Sequence, residues 1–228
     1  MNPRLVTMFN DSLNTGRIPE DWKHTTVVPI FKEVNQSDPS NYRPSSLTSI
    51  VAKLLERILR DYISAHLLQI VFLCNAQHGF IKGISCLTYL LCFLDVLTQK
   101  LDEGTEVEVC YLDFQKALDS VNHRLLDFKP RETGLNPKVG NWFRAFLSGR
   151  TYKVRVRGCL SEVGSPTNKG PQGSILGPLL LLVYVNDIIS GLEKPCFLYA
   201  DDIKLVKNPD DRYSLQSDIL KICEWSQK

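Results

Sequence analysis

Cys196-Phe197-Leu198-Tyr199-Ala200-Asp201-Asp202-Ile203-Lys204-Leu205-Val206 is the stretch on which the reading of this chain turns. Short apolar runs stand on either side of two adjacent aspartates, the pattern of two strands meeting at a tight turn with Asp201 and Asp202 at its tip. Neighbouring carboxylates at a strand tip repel each other and gain nothing from packing. They become favourable when a divalent cation sits between them and a phosphate. A third carboxylate, Asp113, closes another apolar strand predicted over Glu106 to Asp113. Three carboxylates at strand ends suggest a two-metal phosphoryl-transfer site. Taken alone, Asp201-Asp202 is equally an ordinary surface turn and Asp113 an ordinary strand end, because Asp is a common turn residue.

At 228 residues the chain can bury a real core and is most simply one domain or one lobed unit. With 43% hydrophobic and 23% charged residues, its composition is globular rather than disordered. A net charge of +2 is only weakly basic, so contact with nucleic acid must come from local clustering of cations. None of the seven cysteines forms a C-x-x-C pair, which argues against a zinc ribbon. Their odd number and their places in apolar runs predict buried, reduced thiols, no disulfide-linked partner, and an intracellular location in cytoplasm and/or nucleus. The longest apolar stretch, Ile175 to Val185, contains Gly177 and Pro178 and is too short to span a bilayer, so no membrane partner is expected. The N-terminal Met-Asn-Pro-Arg lacks the apolar core of a signal peptide.

Around the acidic hairpin, Leu5, Val6, Phe9 and Leu13 recur at helical spacing up to Gly16, and Thr25 to Phe31 reads as a strand. Residues 33–44, with Pro39 and Pro44, read as a loop. From Leu47 to Leu68 the apolar positions trace one face of a core helix. Ser85 caps another helix through Leu87, Leu90, Leu91, Leu94, Leu97 and Leu101, ending at Gly104. Asn136-Pro137 opens a helix with Trp142, Phe143, Phe146 and Leu147 inward and Gly149 at its end. Ser174 to Ser190 is helical after an irregular start, and a last helix runs from Tyr213. Thr151 to Arg157 alternates, which puts Lys153, Arg155 and Arg157 on one strand face and Tyr152, Val154 and Val156 on the other. Such a cation row can follow a phosphate backbone or simply be a solvated face. Helices packed on an antiparallel sheet make the expected class α+β.

Two further segments stand in a fixed order with the acidic pair. Tyr111-Leu112-Asp113-Phe114-Gln115-Lys116-Ala117-Leu118-Asp119-Ser120-Val121 comes first, then Gly170-Pro171-Gln172-Gly173-Ser174-Ile175-Leu176-Gly177-Pro178, then Tyr199-Ala200-Asp201-Asp202-Ile203-Lys204-Leu205. Upstream stand Asn41-Tyr42-Arg43-Pro44, Lys53-Leu54-Leu55-Glu56-Arg57 and Gln77-His78-Gly79-Phe80, and Trp142 to Arg150 lies between. The ordered set resembles the reverse transcriptase domain of non-LTR (LINE-type, CR1/jockey-like) retrotransposons over nearly the whole chain.

The resemblance implies a polymerase fingers–palm fold, an antiparallel palm sheet backed by helices. Fingers would lie at about 20–105 and 122–169, the palm at about 106–121 and 170–228. It implies an RNA-directed DNA polymerase that uses an RNA template, a DNA primer and deoxynucleoside triphosphates. Two Mg²⁺ ions, with Mn²⁺ as a substitute, would be held by Asp113, Asp201 and the Phe114 backbone carbonyl, with Asp202 as the third catalytic carboxylate. Lys32, Arg43, Leu118, Gln172 and Gly173 would bind the nucleotide, and Lys153, Arg155 and Arg157 the nucleic acid. By their own chemistry, two fixed cations suit a polyphosphate, Gln offers both a donor and an acceptor, and Gly permits close backbone approach. Lys32 suits a solvated loop equally well, and Pro171-Gln172-Gly173 a plain turn. Asp119 reads as structural, and His78 and His123 carry no catalytic role.

Several positions depart from the family pattern. Leu118 stands where relatives carry Phe or Tyr against a ribose 2′-hydroxyl, which predicts weaker rejection of ribonucleotides. Lys169-Gly170 replaces Gly-Val, Ile84 replaces a basic residue, and Pro130 interrupts a helix expected over Asn122 to Gly134. A lysine-bearing segment and a helical thumb, which relatives carry beyond the palm, are expected to be missing, so this reads as a truncated domain of weak activity. The alternatives are a non-catalytic nucleic-acid-binding remnant, an RNA-templated RNA polymerase, or a decayed open reading frame.

Overall fold

In the computed structural model, residues 2–32, 35–114, 133–165, 173–193 and 195–227 are described. In chain order their elements are α1 (Pro3–Thr15), α2 (Glu20–Lys23), β1 (His24–Phe31), β2 (Tyr42–Leu47), α3 (Ile50–Gln69), α4 (Cys86–Asp102), β3 (Glu108–Leu112), α5 (Pro137–Leu147), β4 (Thr151–Val156), β5 (Cys159–Leu160), α6 (Gly177–Val185), β6 (Cys196–Tyr199), β7 (Asp202–Lys207) and α7 (Arg212–Ser226). Mixed sheets and helices make the protein α+β, as the sequence predicts. The chain divides into two units, Met1–Ile70 with Leu118–Leu180, and Val71–Ala117 with Leu181–Lys228.

The first unit carries a sheet of order β2-β1-β4-β5. β1 runs antiparallel to β2, with Ile30 opposite Arg43, and parallel to β4, with Thr25 opposite Tyr152. The loop expected to reach residue 44 therefore ends early, and Tyr42 to Leu47 is a strand. Pro44 is tolerated because β2 is an edge strand and Pro44 faces Pro29, beyond the stretch where β1 pairs with β4. Helix signals hold well. Asn2 accepts the Arg4 amide at 2.9 Å with Pro3 in the first turn, and Gly16 closes α1 at φ 67°. On α5, Val139, Trp142, Phe143, Phe146 and Leu147 are buried, the face the spacing predicts. Trp142 stacks on Phe146 at 5.0 Å, and its indole N–H donates to the Ser12 hydroxyl at 3.0 Å, which in turn donates to the Arg17 carbonyl at 2.7 Å.

The second unit carries an antiparallel sheet of order β3-β7-β6. Tyr89 and Phe93 of α4 form a buried cluster with Phe197 and Val206 of that sheet. Ser85 and Thr88 cap α4 reciprocally, a capping box with Thr in the usual Glu position. Of the α4 leucines, Leu97 packs against that cluster, while Leu87, Leu90, Leu91, Leu94 and Leu101 are exposed, because the two aromatics take the sheet side. Lys207 of β7 and Asp218 of α7, both buried, meet at 2.9 Å and tie that helix to the sheet. The thiol expectation is corrected: Cys86, Cys92, Cys159 and Cys223 are exposed, and of the seven only Cys196 is buried. No helix among the described residues is long and apolar enough to cross a membrane.

Trp142→Ala should cost about 3–5 kcal/mol, since it removes a fully buried ring and leaves the Ser12 hydroxyl without its donor. Urea denaturation of the two proteins checks this; a loss below about 1 kcal/mol would mean that α5 does not anchor its unit.

Candidate active site

β6 and β7 join through a two-residue turn, with Tyr199 opposite Asp202 and Ala200-Asp201 at the tip. Ala200 adopts φ 60°, the left-handed value that the first central residue of such a turn requires and that a Cβ disfavours. On the other side of β7, Leu112 of β3 pairs with Ile203. Asp113 follows directly on that last pair, at the end of the sheet where Asp202 opens β7. One strand, paired on both sides, thus brings to one end of a sheet three aspartates that the sequence places far apart. Asp113 and Asp202 are exposed and Asp201 is half-buried.

The charges at this tip interact. Burial raises the Asp201 carboxyl above its usual range, its own amide works against the rise, and Asp202 and Asp113 add to it. Burial also raises Asp202, Asp113 adds to that shift, and Lys204 opposes it. The Lys204 ammonium lies over the rings of Phe93 at 4.3 Å, Tyr89 at 4.5 Å and Tyr111 at 5.4 Å, an aromatic seat that holds a cation two residues from Asp202. The Tyr89 hydroxyl is pushed up to about 12, by burial first and then by Asp202, Tyr111 and Cys86. Among the described residues, no three His, Cys, Asp or Glu side chains stand gathered as a finished metal-binding group. The donor chemistry nonetheless suits a hard divalent cation, since three carboxylates offer oxygen donors alone. The Phe114 ring meets Trp225 edge-on at 6.0 Å.

Sequence reasoning noted Gln77 and Gly79 only as part of a motif. Gln77, 2% exposed, accepts the Ala200 amide on Oε1 at 2.9 Å and donates Nε2 to the Ala200 carbonyl at 3.1 Å. The same Oε1 accepts the Gly79 amide at 2.8 Å. His78 donates its amide to the Leu198 carbonyl at 2.8 Å, and its ring lies edge-on to Tyr89, a structural position.

In the first unit, the Lys32 amide donates to the Asn41 carbonyl at 2.9 Å, continuing the β1–β2 ladder. Lys32 and Arg43 are thereby diagonal neighbours on one face of that ribbon, both exposed. Gly173 adopts φ 102° and lies so close to β2 that a Cβ would stand 2.7 Å from the Ser46 carbonyl oxygen. The segment after it is held by Glu56 of α3, fully buried, whose Oε2 accepts the Ile175 amide at 2.7 Å, the Leu176 amide at 3.3 Å and the Ser174 hydroxyl. The core face expected for α3 is corrected: of its apolar positions Ile50, Leu54, Ile58 and Tyr62 are exposed, and the buried face runs through Ala52, Leu55, Glu56, Leu59, Ile63 and Leu67, so a loop-anchoring carboxylate was missed there. Lys153 and Arg155 are exposed on β4. Arg157 leaves the strand: with Gly158 it forms the β4–β5 turn at φ 48°, so the expected three-cation row is two strand cations and one turn cation. Leu118, Asp119, Pro130, Lys169-Gly170 and Pro171-Gln172 lie outside the described residues.

The family model described as reverse transcriptase (RNA-dependent DNA polymerase) matches residues 31–228. The RNA-directed DNA polymerase from mobile element jockey of Drosophila funebris is 30% identical over 217 residues, covering 89% of this chain and 23% of that protein. The putative 115 kDa protein of the type-1 retrotransposable element R1DM of Drosophila melanogaster is 30% identical over 227 residues, covering 93% and 20%. The chain thus spans about a quarter of the length of such relatives or less. Among solved structures, apo telomerase from Candida tropicalis, truncated from its C-terminal domain, aligns with a TM-score of 0.62 at 12% identity, covering 95% of this chain and 50% of that one, a likeness of fold.

Asp202→Asn should raise the Tm of the metal-free chain slightly at neutral pH. A carboxyl whose folded pKa lies above its unfolded value contributes stability below the unfolded value, and that contribution is lost as pH rises through the folded one. The gain should be on the order of a degree or two, because solvent around Asp202 screens the repulsion, and it should vanish below about pH 4. Thermal melts from pH 3 to 8 check this; a variant less stable than the parent at pH 7 would contradict it.

Proposed function

Because the chain belongs to the reverse transcriptase (RNA-dependent DNA polymerase) family, we propose that it is the fingers–palm part of a non-LTR retrotransposon polymerase, adding deoxynucleotides to a DNA primer on an RNA template. The observation that supports this reading is the register of β3 and β6 on β7, which leaves the backbone of Asp113, Asp201 and Asp202 at one end of a sheet. The unit bearing that hairpin is the palm in this reading, and the unit bearing Lys32 and Arg43 holds the fingers.

Bound Mg²⁺ or Mn²⁺ would supply activation of the primer 3′-hydroxyl and neutralisation of the triphosphate. Asp113 and Asp201 offer carboxylate oxygens and Phe114 its carbonyl as ligands. Asp202 adds negative charge beside them, and Lys204 limits how far that charge accumulates. Lys32 and Arg43, on one face of their ribbon, suit the polyphosphate of the incoming nucleotide. Gln172 and Gly173 belong beside the nascent base pair, and Lys153 and Arg155 along a nucleic-acid backbone. RNA and nucleotide substrates agree with action inside the cell, in cytoplasm or nucleus.

Single-nucleotide incorporation on a primed RNA template with Mg²⁺ tests the assignment. Asp113→Ala and Asp201→Asn should each abolish it; incorporation unchanged in either variant would remove that residue from the site. Leu118→Phe should improve discrimination of dNTP over rNTP by about ten- to two-hundred-fold in relative kcat/KM, the scale of steric pockets. Equal ratios for the two forms would mean that residue 118 does not meet the sugar.

A further inference from the structure

We propose that Gln77 is a positioning residue for the acidic hairpin: its carboxamide holds Ala200 in the left-handed conformation that aims Asp201 and Asp202, and Gly79 is glycine so that this clamp can close. The inference rests on the reading of those carboxylates as cation ligands.

Ala200 sits at φ 60°, which the Cβ of an L residue disfavours. Such a conformation persists only where surrounding groups over-determine it. Here the groups are in place. The turn tip is anchored through both polar atoms of one peptide residue, Ala200 N–H at 2.9 Å and Ala200 C=O at 3.1 Å, by the two ends of a single side chain. A carboxamide accepts and donates at once across a short, fixed planar separation; an ionised Glu would lose the donor, and Leu or Met both bonds to Ala200. Gln77 is itself fixed. Its side chain accepts from Gly79 at 2.8 Å, and the main chain around it joins β6 through His78 N–H to Leu198 C=O and Leu198 N–H to Ala76 C=O, each 2.8 Å. On Gly79 a Cβ would stand 2.3 Å from the Ala200 nitrogen, so any other residue there forces the segment off the turn.

Burial gives the clamp its strength. At 2% exposure, Gln77 has no water to replace the Ala200 partners if the turn flips, so each lost bond leaves a buried polar group unsatisfied. The clamp touches neither aspartate side chain. It acts through the backbone on which they stand, as outer partners of metal ligands do when they fix ligand orientation.

The test is Mn²⁺ titration of the 228-residue chain by electron paramagnetic resonance, which needs no catalysis. Gln77→Met keeps length and removes both bonds; it should weaken Mn²⁺ binding by about 10–100-fold, the usual effect of losing an outer-shell partner. Ala200→Gly removes the cost of the left-handed value, so the Gln77→Met/Ala200→Gly pair should recover most of the lost affinity. Ile222→Ala, in the buried core of the same unit, should lower Tm while leaving affinity unchanged. Should Gln77→Met fail to fold, Gly79→Ala puts the same question from the other side of the turn and should also weaken binding. Parental affinity in Gln77→Met, or in Gly79→Ala where it stands in, overturns the clamp. A double variant no better than Gln77→Met also overturns it, since a general packing role would not be rescued at Ala200. A parent chain that binds no Mn²⁺ overturns the cation-site reading itself, and the inference with it.

Discussion

The pairing of β7 on both edges is the constraint from which the site follows. β3 brings Asp113 to the start of β7, and β6 reaches the same end through a two-residue turn. A shift of either pairing by one residue would swap the face that buries Leu198, Ile203 and Leu205, all at most 1% exposed, with the face that packs Phe197 and Val206 against α4, so both sets of contacts oppose it. Burial of each such side chain is worth roughly 1.5–3 kcal/mol. Hydrophobic packing in the body of the strands therefore holds together, at their end, carboxylates that gain nothing from each other. Burial first, and the neighbouring carboxylates after it, raise the Asp201 and Asp202 pKa values at this end. Local stability is given up where a charged ligand can restore it.

Buried polar groups do the fine placement in both units. Gln77 fixes the acidic turn, and Glu56 gathers the backbone amides that follow Gly173. Arg150, buried and with its guanidinium pKa lowered by that burial, is supported in turn by the Glu56 charge and bonds the Phe146 carbonyl and Thr25 hydroxyl. The removal of either carboxamide or carboxylate would leave several backbone donors in an apolar interior, so these positions act on loops far more than their single side chains suggest.

The hairpin, the helix starts at Ser85 and Asn136 and the inner face of α5 were legible in the sequence, because each rests on local chemistry: alternation about a turn, a side-chain oxygen for a bare amide, apolar residues at helical spacing. β2 was hidden by Pro44, which an edge strand tolerates but a local rule reads as a loop. Which face of α4 meets the sheet was not legible, because leucines recur along the helix and periodicity alone does not show that Tyr89 and Phe93 take the sheet side. Arg157 shared the parity of Lys153 and Arg155, yet Gly158 beside it was the signal of a turn. Gln77 and Glu56 lay beyond any single-sequence signal: their partners are 123 and 118–120 residues away, and only the fold reveals them.

The central claim is that Asp113, Asp201 and Asp202 together form a divalent-cation site at the end of β7. Anomalous diffraction from crystals of the chain grown with Mn²⁺ tests it most directly. The account predicts manganese peaks within coordination distance of Asp113 and Asp201 carboxylate oxygens, with Asp202 adjoining. Manganese bound elsewhere, or Asp113 directed away from the ion that the hairpin holds, would contradict it.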